Sequence, residues 1–299
     1  MEVGAGLKRT RSSFVLKLNN KRKIQWVIAK FLLLLLNAEV QAAIENTQQP
    51  VWEVGLAVGA LSMPHYMGSD QRYTLPLGLP YLVYRGEFVR VSRRGVKGLL
   101  VSGEHFSLDL GLSFSLPVNN DNNARDGMPD LNLTGQAGPR LNWKFSTTND
   151  LPQLSLHVPA RYVLDTTGKK LGWVTEPSLK IEKKHWGAAK NLSLRMDLGV
   201  LFAGKSFNKY YYGVADRFAK SNRPSFEAES GFHSYFSKLS ATYRKTRHLS
   251  FGAFIQLRDL SQGVVNDSPL VRQSLDVSAG VGFVWSIWQS EKLDGHRWD

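Results

Sequence analysis

From Val51 onward, apolar and polar side chains alternate every second residue. This is the repeat of a strand with two chemically different faces. Phe106, Leu108, Leu110, Leu112, Phe114 and Leu116 interleave with Ser107, Asp109, Gly111, Ser113 and Ser115. The same rule sets Leu154–Leu164 opposite Gln153, Ser155, His157 and Arg161, and Leu192–Phe202 opposite Ser193, Arg195, Asp197 and Gly199. Leu249–Leu257 and Leu275–Ile287 complete the clear cases. Weaker strands are predicted at Val51–Gly59, Tyr73–Tyr84, Glu87–Arg93, Leu131–Phe145, Leu171–Lys183, Phe226–Phe232 and Tyr235–Arg244, which makes twelve. Loops rich in Asn, Asp, Ser, Gly and Pro fall at 117–130, 146–152, 204–224 and 261–269.

Alternation alone also suits a soluble sandwich, but soluble strands average about 5–6 residues. A tilted strand crossing a bilayer needs roughly 9–11, and many of these runs reach that length. The polar faces carry Asp109, Arg140, Lys144, Arg161, Lys180, Arg195, Asp197, Arg258 and Asp276, which a dry core would have to pair and a wet or salt-bridged lumen accommodates. Aromatic residues near strand ends (Trp52, Tyr73, Trp143, Phe145, Tyr162, Trp173, Phe202, Tyr243, Trp285 and Trp288) suit interfacial girdles. The fold expected is all-β: an antiparallel transmembrane β-barrel of about twelve strands. Closure is required because an open sheet edge in hydrocarbon leaves amides unpaired.

The formal charge of +13 changes meaning when divided along the chain. Residues 1–42 hold eight Lys/Arg and two Glu, leaving 30 basic and 23 acidic side chains, a net +7, on the remainder. That first segment reads as a cleaved signal peptide: a basic stretch to Lys30, the apolar run Phe31–Leu36, then Val40 and Ala42 before a cut. An N-terminal anchor in the inner membrane is the alternative. The barrel is assigned to 43–288 and a C-terminal tail to 289–299. The absence of cysteine fits an exported protein that folds without disulfides. Basic residues alternate with acidic ones along the strands and form no stripe, which argues against nucleic acid as a partner. Lipopolysaccharide phosphates are the expected neighbours of Arg90, Arg93, Arg94 and Lys97.

Five segments stand out by motif: Pro64-His65-Tyr66-Met67-Gly68-Ser69-Asp70; Tyr84-Arg85-Gly86-Glu87-Phe88; Asn123-Ala124-Arg125-Asp126-Gly127-Met128-Pro129-Asp130-Leu131, leading to Gly138-Pro139; Tyr211-Tyr212-Gly213-Val214; and Asp267-Ser268-Pro269-Leu270. Locally, Pro64, Gly68 and Ser69 suit a tight turn with Asp70 and Arg72 paired across it. Arg85-Gly86 suits a hairpin turn. Arg125, Asp126 and Asp130 suit an ion-paired knot over one barrel mouth, with Met128-Pro129 packed beneath. In order and content the five segments resemble the MipA/OmpV family, outer-membrane proteins named after the MltA-interacting protein and OmpV. The resemblance implies the outer membrane of a Gram-negative bacterium and a scaffold role between a lytic transglycosylase and a bifunctional murein synthase. The family's OmpV branch implies instead a narrow pore or uptake channel. One departure is that about eleven residues, Gln289–Asp299, follow Trp288, where such barrels finish on an aromatic residue.

Catalytic chemistry finds little footing. The Ser/His candidates are His157 with Ser155, His233 with Ser234, and His248 with Ser250, and a triad also needs an orienting group and an oxyanion site. Histidines at helical ligand spacing, cysteine ligands and phosphate or dinucleotide loops are lacking, so no enzyme activity, cofactor or metal is expected. An adhesin reading rests only on exposed loops such as 204–224.

Overall fold

The computed structural model describes residues 49–86, 89–92, 95–118, 122–145, 152–186 and 191–293. The strands are β1 (Trp52–Pro64), β2 (Arg72–Arg85), β3 (Val89–Ser92), β4 (Gly95–Ser102), β5 (Phe106–Ser115), β6 (Thr134–Lys144), β7 (Gln153–Pro159), β8 (Arg161–Asp165), β9 (Lys170–Thr175), β10 (Ser178–Trp186), β11 (Leu192–Ala203), β12 (Gly231–Arg244), β13 (Leu249–Asp259) and β14 (Leu275–Gln289), with one α-helix, α1 (Lys205–Tyr212). All fourteen join one antiparallel sheet, and β14 pairs back onto β1 from Glu53↔Gln289 to Ser62↔Ala279, which closes it. β6 pairs along its length with β7 and then β8, and β11 pairs with β10 and then β9. Each couple is therefore one stave interrupted, at Ala160 and at Glu176-Pro177, and the barrel has the expected twelve staves.

Alternation sorts the side chains as the two solvents demand. On β5, Phe114 is 71 % exposed on the outer face while Asp109 is 6 % exposed inside. Leu56, Val58, Leu141, Leu239, Ile255 and Val281 are also exposed apolar residues. In water such a surface would drive association; against lipid it is the barrel's solvent contact. Trp52, Tyr84, Phe106, Trp143, Trp285 and Trp288 form an exposed aromatic belt at the end where β1 starts and β14 finishes, and Phe114, Trp173, Phe202 and Tyr235 form one at the other. Tyr73 leaves the predicted girdle: its ring stacks on His65 with centroids 4.1 Å apart, and its hydroxyl donates to the Pro117 carbonyl.

Two strand assignments change. β4 was not anticipated, because Gly95–Ser102 does not alternate. Phe226–Phe232 is not a strand of its own: Phe226 bridges to Val214 in a loop, and β12 starts at Gly231. The two discrepancies cancel in the count. Side chains of 87–97, including the expected lipopolysaccharide contacts Arg90, Arg93, Arg94 and Lys97, lie outside the described ones, as does the proposed leader. Beyond β14, the Ser290 amide donates to the Trp52 carbonyl, the Val51 amide donates to Lys292, and Leu293 bridges to Pro50, so the described start of the expected tail runs along the β1 edge.

Gly138 marks the stave break. A Cβ there would lie 2.0 Å from the Ala160 carbonyl oxygen. Neither backbone can retreat without breaking the β6 ladder, so Gly138→Ala is expected to cost at least the ~1–3 kcal/mol of an overpacked site. The readout is loss of the heat-modifiable folded band after refolding into detergent.

Candidate functional site

The lumen is crossed by ion pairs set by register. Asp109 on β5 faces Arg140 on β6 and accepts its guanidinium at 2.7 Å and the Asn142 amide at 2.9 Å. Arg195 and Asp197, two apart on β11, meet at 3.0 Å, as do Lys180 and Glu182 on β10. The break between β9 and β10 frees Glu176 from the ladder. Its carboxylate takes Arg258 of β13 at 2.9 Å and Arg161 of β8 together. Between these groups lies a cavity of about 270 Å³, with Arg140, Arg161, Lys180 and Arg195 against Glu176 and Asp197 in its lining. Each of these four cations holds a carboxylate partner.

The second constellation lies at the mouth opposite the start of β1 and the end of β14. Long loops meet there from the β1–β2, β5–β6, β11–β12 and β13–β14 connections, with α1 among them. Tyr66, Val118, Met128, Leu131, Phe207, Tyr212, Val265 and Leu270 belong to one buried cluster with Val163 and Leu201 of the wall. Apolar burial of this kind, ordinary in a soluble core, here packs the loops at a barrel end. Hydrogen bonds fix the loops to one another. Tyr66 Oη donates to the Leu270 carbonyl (2.8 Å), Ser268 Oγ to the Tyr212 carbonyl (2.7 Å), Asn122 Nδ2 to Ser69 Oγ (3.1 Å), and the Gly68 amide to Asp276 (2.7 Å). Gly68 has φ +90°, a left-handed conformation that a side chain would strain.

A hydrogen-bonded relay also ties this cap to the lumen. Arg258 Nη1 donates to Ser234 Oγ (2.9 Å), Ser234 to His233 Nδ1 (3.0 Å), His233 Nε2 to Tyr212 Oη (3.0 Å), and Tyr212 to the Met67 carbonyl (3.0 Å). Because Tyr212 gives its proton to the Met67 carbonyl, it accepts from His233 Nε2, which therefore carries a proton. The His233–Ser234 candidate is thus consumed in structure. His248 bonds the Ser286 carbonyl and Gln289 rather than Ser250, while Ser155 Oγ and His157 Nε2 stand 3.1 Å apart on the lumen side.

Most of the motif residues converge on the cap. Tyr66, Gly68, Ser69, Arg125, Met128 and Ser268 are buried in or bonded within it; Pro64, Asp70, Gly127, Pro129, Asp130, Asp267 and Pro269 flank it on the same loops. Tyr84, Arg85 and Gly86 lie at the opposite mouth, where Arg85 pairs with Glu53 at 2.6 Å. Gly138 and Pro139 lie in the wall. Two local pairings are corrected. Asp70 is 4.0 Å from Arg272 rather than paired with Arg72, which donates to the Val277 carbonyl and Ser62. Arg125 makes no knot of carboxylates: it donates to the Tyr211 and Pro129 carbonyls, while Asp126 takes Lys220 at 2.8 Å. A buried guanidinium fits best where several carbonyl oxygens converge, and the loop supplies them. Met128 packs beneath as expected, whereas Pro129 stays exposed.

Burial lowers the Arg125 pKa and raises those of Tyr66 and Tyr212, and pushes Tyr210 up to about 12. The cap tyrosines therefore remain neutral donors throughout the physiological range. A hydrogen bond from Lys220 holds exposed Asp126 below the usual carboxylate range. Glu176 and Asn122 were not singled out by sequence reasoning, and His233 was noted only as a catalytic candidate. The one available signal was the Glu176-Pro177 pair, where proline interrupts a strand pattern.

The family model described as MltA-interacting protein MipA matches residues 56–287. Among known proteins, the outer membrane protein YiaT of Escherichia coli K12 is 27% identical over 212 residues, covering 69% of this chain and 80% of YiaT; the O157:H7 YiaT matches equally. Similar solved structures include the NanC porin (10% identity, TM-score 0.38, 78% of this chain and 100% of that one) and outer membrane phospholipase A of Escherichia coli (9%, 0.32, 80% and 94%). The family match spans nearly the whole barrel, from β1 into β14: the chain belongs to the MipA family and is an outer-membrane β-barrel.

Proposed function

We propose that this barrel is a non-catalytic, non-conducting scaffold that holds murein-hydrolysing and murein-synthesising enzymes at the outer membrane. The sealed loop-end mouth carries this reading. An axial pore needs a continuous wet path, whereas here an apolar cluster with Tyr212, Leu270 and Val265 at 0 % exposure fills one end. The paired lumen charges add rigidity rather than a free conduit. Short turns face the periplasm in barrels of this class and longer loops face outward, so turns such as 103–105 and 245–248, together with the segment after Gln289, are the surfaces offered to wall enzymes. The family's name points to a lytic transglycosylase as one partner; a bifunctional murein synthase is the other that we propose. Outer-membrane lipid surrounds the wall and lipopolysaccharide meets the loop end.

The second reading, a narrow solute channel, is favoured by the charge-lined cavity of about 270 Å³. Planar-bilayer recording separates the two: the scaffold predicts silence, and steady single-channel currents would establish the pore instead. In parallel, a lytic transglycosylase is expected to co-purify from membranes with the tagged full chain and to be lost when the 245–248 turn is replaced by a Gly-Ser turn. Absence of any wall enzyme from the eluate would count against docking.

A further inference from the structure

The loop-end cap holds a cavity of about 300 Å³ that the docking role does not use. The β1–β2 loop brings Asp70 to its lining, the β5–β6 loop Asn123, the β11–β12 loop Asn222 and the β13–β14 loop Arg272. Three of the five motif segments contribute, through Asp70, Asn123 and Pro269. A space of this size is at the lower end for small-molecule pockets.

Its walls are fastened from both sides. Arg223 is buried and donates to the carbonyls of Ala124, Asp126 and Phe218, while Lys220 Nζ takes the Asp126 carboxylate at 2.8 Å. Those two cations are committed to holding loop against loop. On the other side, the Arg272 and Gln273 amides donate to the Gly68 carbonyl at 2.7 and 3.1 Å, and Gln273 Nε2 donates to the Ser69 carbonyl at 2.8 Å. The backbones beside Asp70 and Arg272 are thereby clamped together, yet the two side chains stand 4.0 Å apart, about half exposed and beyond hydrogen-bond reach. Among the described residues neither has another partner, and the side-chain amides of Asn123 and Asn222 make no hydrogen bond. One charge of each sign and two amides are left around a single small space, and no aromatic ring is among its described lining residues.

We propose that this cavity binds a free α-amino acid, with its carboxylate on the Arg272 guanidinium and its ammonium on the Asp70 carboxylate. A planar guanidinium takes a carboxylate through two parallel N–H groups. Both charges of an α-amino acid spring from one carbon, which matches protein partners held 4.0 Å apart. A simple anion or cation would satisfy one partner and be opposed by the other. An exposed ion pair at this separation holds its members only weakly, so a ligand that enters between them disturbs the fold little. A sugar would compensate neither charge and would find no ring to stack on, while the asparagine amides remain for a polar ligand side chain. The site lies at the mouth opposite the proposed docking turns, goes beyond that role and stands apart from it.

Saturation-transfer NMR on the full chain in phosphatidylcholine nanodiscs, titrated with L-serine, tests this. L-serine is expected to bind about tenfold more tightly than propionate or propylamine, each of which keeps one charge. It should also bind several-fold more tightly than γ-aminobutyrate, whose charges are separated by three methylenes. Equal or tighter binding of any of these three, or no transfer to L-serine at all, would overturn the proposal. Tighter binding of phosphoethanolamine would overturn it in favour of a lipid head group. Arg272→Gln and Asp70→Asn are each expected to weaken L-serine about tenfold with the heat-modifiable band retained, since both side chains are exposed. Lys205→Gln, outside the cavity on α1, is expected to leave the affinity unchanged. Unaltered affinity in either cavity variant, or an equal loss in Lys205→Gln, would overturn the placement of the ligand.

Discussion

Replacing Tyr212 with alanine is expected to unseat the loop-end cap while the barrel beneath it stays closed. Tyr212 is fully buried, and truncating a buried aromatic side chain costs about 3–5 kcal/mol through lost transfer energy and the cavity left behind. The same change orphans His233 Nε2 and the Met67 carbonyl. Tyr212→Phe keeps the volume and removes only the hydroxyl, for about 1–3 kcal/mol. Limited proteolysis checks both: loop 204–230 should be cut much faster in Tyr212→Ala and modestly faster in Tyr212→Phe, with the heat-modifiable band retained. The alanine variant should also pass current in planar bilayers if the cap is what blocks the bore. A silent bilayer together with protease-resistant loops would show that Tyr212 does not hold the cap.

The second large effect is expected at Glu176. Its carboxylate is shared by two guanidiniums, so Glu176→Ala strands both Arg161 and Arg258 in the lumen. Removing one member of a buried pair typically costs about 3–5 kcal/mol. The Glu176 side chain is 25% exposed, and water screening places the loss near the lower end, about 3 kcal/mol. Urea unfolding from lipid vesicles would read it as a shifted midpoint. Adding Arg258→Met to Glu176→Ala should recover part of the loss, because one unpaired charge is then gone; strict additivity of the two changes would deny that they interact.

Legibility in the sequence followed the solvent. β5, β11, β13 and β14 alternate cleanly because lipid lies on one side of them and paired charges on the other, and these were read nearly to their ends. β4 has Leu99, Leu100 and Val101 in succession and hid from a period-two search. Phe226 and Ala228 alternate for another reason: Phe226 packs against the cap cluster and Ala228 is fully buried, in a core that imitates a strand pattern without a ladder. The stave break at Ala160 was invisible within a run that otherwise keeps its period, and the one at Glu176-Pro177 was marked only by its proline. The motif segments were visible one by one, but their meeting was not. Asn122 meets Ser69, and Tyr212 meets Met67 and Ser268, only because neighbouring staves bring distant loops over one mouth, and local spacing does not encode that. The corrected pairings of Asp70 and Arg125 share this cause, since each was matched to a partner near in sequence and found one far away.

The seam between β1 and β14 joins segments more than two hundred residues apart, and its register slips by one bulge at Val54/Gly55. Contacts so distant along the chain are the costliest in loop entropy and form late. β1, the first stave to be made, must therefore wait with one edge bare until the last arrives, and the pairing of Pro50–Trp52 with Ser290–Leu293 works as a clasp that engages at the final step of assembly.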